Sequence, residues 1–276
     1  MPEGAGSAQA REVPTEGFPN YEVTWTRDSQ LLMSIQRGTV ALLNPNTGAK
    51  TPLLSQVRFP GFAFPCPDGR IVFSALSGNK VVGHVFRADA DGGNIKELTN
   101  GKFDSLPVCS ADSKTVLYMD ADNKLEKVGI EGGASQEFPA YGLFARITLS
   151  PDGKLAASVA NRPGETKEKI GLVPLDFSQA IRLLDFERHR VQYGSVLGDE
   201  PILFTRDGTG IIYPIREGQT DNLWLQHLDG SPGKQLTDFK SEFIRDFDYS
   251  YDGKQLAIIR GHRESDVVLI HDSGTQ

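Results

Sequence analysis

Seven charged residues, Glu22, Asp104, Arg146, Glu200, Arg245, Asp246 and Asp248, stand four to eight residues before a series of similar Asp-containing turns, in stretches otherwise rich in apolar side chains. Charge in such a setting must be hydrated or paired, because an isolated buried ion is costly. Water or mutual ion pairing would satisfy the seven with nothing bound. Their mixed signs otherwise suit a polar or peptidic ligand better than a metal cage. Two acidic runs have oxygen-rich spacing. "DADNKLEKVGIE" (120–131) carries acids at positions 1, 3 and 12 of a calcium-loop pattern, but Leu125 stands where the loop needs glycine. "DADGGN" (89–94) runs out after two acids, so both runs read as solvated turns. No pair among His84, His189, His227, His262 and His271 has metal-ligand spacing on one element.

Catalytic motifs are missing. The sequence has no glycine-rich phosphate loop, no HRD or DFG triplet and no P-loop. The nucleophile elbow G-x-S-x-G is also absent; in "GSVLG" (194–198) the serine directly follows the first glycine. No cofactor is implied, and the expectation is a non-catalytic chain.

The elements that must position the seven charges emerge from an internal repeat. One turn recurs six times, as "TRDSQ", "CPDGR", "SADSK", "SPDGK", "TRDGT" and "SYDGK". Its aspartates, Asp28, Asp68, Asp112, Asp152, Asp207 and Asp252, are 40, 44, 40, 55 and 45 residues apart. Asp bonds nearby backbone amides, and the Gly or Ser after it accepts the tight reversal between antiparallel strands. An apolar run follows each turn, such as "IVFSAL" or "GIIYPI", then a third run and a short fourth one such as "IKELTNG" or "KQLTDFK". Four short strands every 40–45 residues are the signature of a propeller blade. Three residues before each turn Asp stand Trp25, Pro65, Cys109, Leu149, Phe204 and Tyr249, expected as wedges between blades.

The pattern [ST]-x-D-G-[KR], followed by K-x-L-T in "GGNIKELTNGKFDSLPVCSADSKTVLYMD" (92–120) and "GKQLTDFKSEFIRDFDYSYDGKQLAIIRGHRESDVVLI" (233–270), resembles the WD40-like, TolB-type β-propeller repeat over nearly the whole chain. It is similar to the C-terminal propeller of bacterial serine/threonine kinases and winged-helix regulators. The resemblance implies an all-β, six-bladed propeller of four-stranded antiparallel blades. Blades are expected at about 18–56, 57–101, 102–142, 143–187, 188–240 and 241–276. It further implies an interaction or sensing module of a larger bacterial signalling protein, with any kinase activity outside this chain. The alternatives are a stand-alone TolB-like envelope protein that binds a partner peptide, and a propeller lyase or hydrolase. On the first reading the seven charged residues line the channel mouth and meet a protein or peptide partner, or a small polar ligand.

The remaining features set boundaries. A formal charge of −7 argues against a nucleic-acid partner, whose phosphates are neutralised by Lys and Arg. No run of 18 apolar residues suggests direct membrane insertion, and no basic-then-apolar N-terminus is present. The compartment stays open: cytoplasmic if Met1 is native, extracytoplasmic if the chain derives from a longer one. Two cysteines, Cys66 and Cys109, read as buried free thiols. The segment Ala10–Gly17 matches an outermost strand with no blade before it, whereas the last repeat ends one strand short. The expectation is that 10–17 pairs beside 267–270 and completes the last blade. The loop 186–201 lengthens the fifth interval.

Overall fold

The computed structural model describes residues 11–13, 20–35, 38–78, 82–138, 143, 146–161, 164–176, 181–188 and 201–262. No helix occurs among them. The first sheet holds β1 (Asn20–Trp25), β2 (Leu31–Ile35), β3 (Thr39–Leu43) and β4 (Lys50–Leu53). The second holds β5 (Gly61–Pro65), β6 (Ile71–Leu76), β7 (Gly83–Ala88) and β8 (Lys96–Glu97). The third holds β9 (Ser105–Cys109), β10 (Thr115–Met119), β11 (Leu125–Gly129) and β12 (Gln136–Glu137). The fourth holds β13 (Thr148–Leu149), β14 (Leu155–Ala160), β15 (Lys169–Pro174) and β16 (Arg182–Asp185). The fifth holds β17 (Leu203–Phe204), β18 (Gly210–Glu217), β19 (Thr220–His227) and β20 (Lys234–Gln235). A last sheet pairs β21 (Phe243–Tyr249) with β22 (Leu256–Gly261). All pairings are antiparallel between strands consecutive in sequence.

This corrects the expected count: the described residues form five four-stranded blades, not six, and a sixth sheet with two described strands. The expected closing partners, 267–270 and most of 10–17, lie outside the described residues. Arg11–Val13 are described and carry no strand. Instead Arg11 Nη2 donates to Pro45 O at 2.6 Å, and Val13 packs on the apolar cluster of the first sheet.

The six turns explain the period. In five of them a Ser or Thr hydroxyl donates to the turn aspartate at 2.6–2.7 Å: Thr26–Asp28, Ser110–Asp112, Ser150–Asp152, Thr205–Asp207 and Ser250–Asp252. The residue after each Asp has positive φ: Ser29, Gly69, Ser113, Gly153, Gly208 and Gly253. Glycine adopts that backbone without steric cost, which accounts for "DG" in four of the six. Gly153 has a second reason, since a Cβ there would lie 2.9 Å from Ala111 Cβ of the neighbouring turn. The two serines pay the Cβ penalty, and Ser113 offsets it by accepting a hydrogen bond from Asp68 N at 3.1 Å. The K-x-L-T motif has a role of its own. Thr99 and Thr237 accept from Val85 N and Leu223 N, while Leu98 is buried and Leu236 packs on the core.

Each apolar cluster joins consecutive sheets. Leu32, Val40 and Leu53 of the first pack on Ala63, Ile71 and Phe73 of the second. Val72 and Val85 meet Val116 and Tyr118; Leu117 and Met119 meet Ala156 and Val173. Val159 and Ile170 meet Phe204 and Tyr213; Ile212 and Leu223 meet Phe247 and Tyr249. The sixth cluster sets Val23 and Trp25 against Ala257 and Ile259, so the last sheet packs on the first and the circle closes. Among the expected wedges, Trp25, Pro65, Cys109, Phe204 and Tyr249 are buried, and Leu149 is half-buried.

The cysteines depart from expectation. Cys66 and Cys109 are disulfide-bonded, not free thiols. They occupy different repeat positions: Cys66 takes the place of the turn Ser/Thr, and Cys109 directly precedes one. The stagger between neighbouring inner strands cancels that offset and brings the Cα atoms to 5.2 Å, within disulfide range.

Candidate functional site

The innermost strands β1, β5, β9, β13, β17 and β21 pair on one side only, so their other edge presents backbone N–H groups to the channel or the next blade. Side chains from the preceding sheet satisfy several of them. Ser34 Oγ accepts from Ala63 N at 3.1 Å, and Asp221 Oδ2 accepts from Ile244 N at 3.0 Å. At the junction of last and first sheets two carboxylates do this work. Asp246 Oδ2 accepts from Val23 N at 2.8 Å, and Asp248 Oδ2 accepts from Trp25 N at 2.8 Å. The Trp25 indole Nε1 also donates to Asp248 O, at 3.1 Å.

Arg146 reaches the same place from the strand edge before β13, two sheets away. Its guanidinium forms a bidentate pair with Asp246, Nη2 to Oδ1 at 2.7 Å and Nη1 to Oδ2 at 3.0 Å. The Asp246 side chain is 1% exposed and that of Arg146 14%. Burial works against the guanidinium's charge, but Asp246, with help from Glu22 and Asp248, outweighs it and raises the Arg146 pKa. Glu22, itself 5% exposed, therefore belongs to this cluster. Four of the seven expected residues, Glu22, Arg146, Asp246 and Asp248, thus converge.

The others do not join them. Asp104 is buried and accepts from Gly101 N at 2.9 Å, capping the connection between β8 and β9. Arg245 lies on β21 next to Asp246, half-buried. Glu200 lies outside the described residues. The acidic runs behave as turns: Asp120 Oδ1 accepts from Asp122 N and Lys124 N, and Asp91 Oδ1 from Gly93 N. No group of three His, Cys, Asp or Glu among the described residues has a metal-holding arrangement. Trp25 and Arg206, the latter donating to the Tyr249 and Ser250 carbonyls, are contributors that sequence reading missed. Only the repeated "TRD" hinted at Arg206.

Asp248 titrates unusually. Burial pushes its carboxyl up from 3.8 to about 6, against the Trp25 N–H and the charges of Arg206 and Arg146. The five turn aspartates bonded to a hydroxyl move the other way, chiefly because that hydroxyl donates to the carboxylate. A carboxyl with raised pKa in the fold binds protons more tightly when folded, so its contribution grows as pH falls from about 6 to 3.8. The turn aspartates contribute above their unfolded pKa and lose that contribution as pH falls through their lowered values. The unfolding midpoint is therefore expected to rise between pH 7 and 5 and to drop below about pH 4. Asp248→Asn should flatten the rise and leave the acid drop; a rise of the same size in that variant would refute the assignment.

The sequence matches no known protein family, and no well-characterised protein is similar to it in sequence. Solved structures do match. TolB from Acinetobacter baumannii aligns over 81% of this chain and 55% of its own, at 21% identity and TM-score 0.63. The chain thus spans little more than half of that protein. A putative TolB from Agrobacterium tumefaciens aligns over 92% of this chain and 94% of its own, at 15% identity and TM-score 0.71. The shared fold is a TolB-type β-propeller. A structure described as a nidogen/laminin complex aligns over 84% of this chain and 85% of its own, at 16% identity and TM-score 0.60. At these identities the likeness concerns the propeller alone.

Proposed function

We propose that this propeller is a non-catalytic protein-interaction module whose channel mouth, around Glu22, Arg245 and Asp248, receives a peptide segment of a partner. The supporting observation is the cluster in which Glu22 of β1 and Asp246 and Asp248 of β21 surround the guanidinium of Arg146, which reaches in from the chain just before β13. Propellers of TolB type and the propeller in the nidogen/laminin complex support a protein partner by analogy of fold. A larger signalling chain, such as a serine/threonine kinase, is the parent protein on this view, resting on the repeat pattern alone.

One observation favours the envelope alternative, in which the chain acts as a stand-alone TolB-like protein. The Cys66–Cys109 disulfide suits an oxidising compartment.

Selection of random displayed peptides on the folded protein tests the channel site. Enriched peptides are expected to lose binding to a Glu22→Gln/Arg245→Ala variant that unfolds at the wild-type temperature. No enrichment, or peptides indifferent to that variant, would overturn the reading.

A further inference from the structure

The six turns form a ring of their own, at the end of the channel where each inner strand meets its second strand. Arg27 Nη1 donates to Pro67 O at 2.7 Å, Asp68 N to Ser113 Oγ, and Arg206 Nη2 to Ser250 O at 2.7 Å, each bond tying one turn to the next. The residue before each turn aspartate occupies an equivalent place on this ring. Four blades put Pro67, Ala111, Pro151 and Tyr251 there, and the other two put Arg27 and Arg206. The departures from small or proline residues fall on consecutive sheets: Arg206, then Tyr251, then Arg27 across the junction.

The Arg206 guanidinium carbon lies 6.0 Å from the Tyr251 ring centroid. Arg27 on the next sheet acts on the Tyr251 phenol through its charge, as does Arg206, while Asp248 and Asp68 act on it in the opposite sense. Arg27, Arg206 and Tyr251 are exposed, Tyr251 at 42%. Among the described residues, neither Arg27 nor Arg206 has a carboxylate within ion-pair distance. The acids of the same turns are committed to their own loops: Asp28 to Thr26 and Gln30, Asp207 to Thr205 and Thr209, Asp252 to Ser250 and Lys254 N. The nearest interior carboxylate, Asp248, is taken by Trp25 N and Tyr249 N. Backbone carbonyls fix the direction of each guanidinium, one for Arg27 and two for Arg206, and Arg206 also acts at longer range on the buried Asp248. Preoriented guanidinium groups favour carboxylates through charge-assisted bonds, and a Tyr ring offers rigid amphipathic contact area. Arg and Tyr are also residue types in which interface binding energy concentrates.

We propose that Arg27, Tyr251 and Arg206 form a docking site for an acidic segment of a protein partner. Its carboxylates meet the two guanidinium groups and its adjoining chain lies on the Tyr251 ring. The site is separate from the Glu22–Arg146–Asp246–Asp248 cluster and stands whether or not that cluster binds a peptide.

The test uses the full chain and a fluorescein-labelled peptide of repeating Glu-Leu-Glu-Gly, with the matching Lys-Leu-Lys-Gly peptide as control, read by fluorescence anisotropy. The Glu peptide is expected to bind and the Lys peptide not to. Binding of the Glu peptide is expected to weaken as NaCl is raised. Arg27→Gln/Arg206→Gln should weaken binding about tenfold or more, as should Tyr251→Ala, which leaves the carbonyl contacts intact if the double variant fails to fold. Glu22→Gln/Arg245→Ala should bind as the wild type does. The proposal is overturned if the Glu peptide does not bind, if the Lys peptide binds equally, or if Tyr251→Ala and the arginine variant bind like wild type. It is equally overturned if the channel variant abolishes binding while these do not, which would assign the peptide to the channel.

Discussion

Cys109→Ser is expected to cost about 4 kcal/mol of stability, because the disulfide closes a loop with a sequence separation of 43 residues. For a chain of this size that corresponds to a fall in unfolding midpoint of roughly 8 °C. The bond crosses a blade boundary, tying the end of β9 to the residue after β5, so its loss acts at the interface where Val72 and Val85 pack on Val116 and Tyr118. Wild type treated with reductant should fall by a similar amount, and the serine variant should be indifferent to reductant. Thermal scans by circular dichroism with and without reductant read this directly. A wild-type midpoint that does not move on verified reduction would show that the cross-link carries none of the stability.

Arg146→Ala is expected to destabilise by about 3–5 kcal/mol, since it leaves the Asp246 carboxylate buried beside Glu22 and Asp248 without its cation. The bidentate geometry and the 1% exposure of Asp246 place this pair among those where removing one partner costs more than removing both. Arg146→Met combined with Asp246→Asn should therefore recover much of the loss. Asn can still accept from Val23 N, and Met fills the space of the guanidinium stem. Chemical denaturation of Arg146→Met, Asp246→Asn and the double variant closes the cycle. A double variant as unstable as the sum of the singles would show that the two side chains act independently.

The strand pattern was legible because its causes are local. Asp-Gly turns, period-two apolar runs and the Leu-Thr pair each act within a few residues, so sequence spacing alone places the antiparallel strands they border. Glu22, Asp246 and Asp248 could be placed on inner strands for the same reason. What they touch could not be read. Val23 and Asp246 are 223 residues apart, and Arg146 and Asp246 are 100 apart on sheets that are not neighbours. No periodicity links such residues; only closure of the circle does. Asp104 looked equivalent to the others, yet three residues of local chain, back to Gly101, were enough to engage it. The cysteines failed differently. Their repeat positions are not equivalent, and the pairing of adjacent inner strands still brings their Cα atoms to 5.2 Å.

The carboxylates of Asp246 and Asp248 also set an order of events in time. The amides of Val23 and Trp25 have their acceptors only once β21 has been made, and at 5–20 residues per second that is roughly 10–45 s after β1 leaves the ribosome. During that interval β1 pairs with β2 yet presents a bare edge, the kind of surface on which a nascent chain recruits another strand. Both aspartates are then more than fasteners of the finished ring. They end the period in which the outer edge of β1 is open to mispairing.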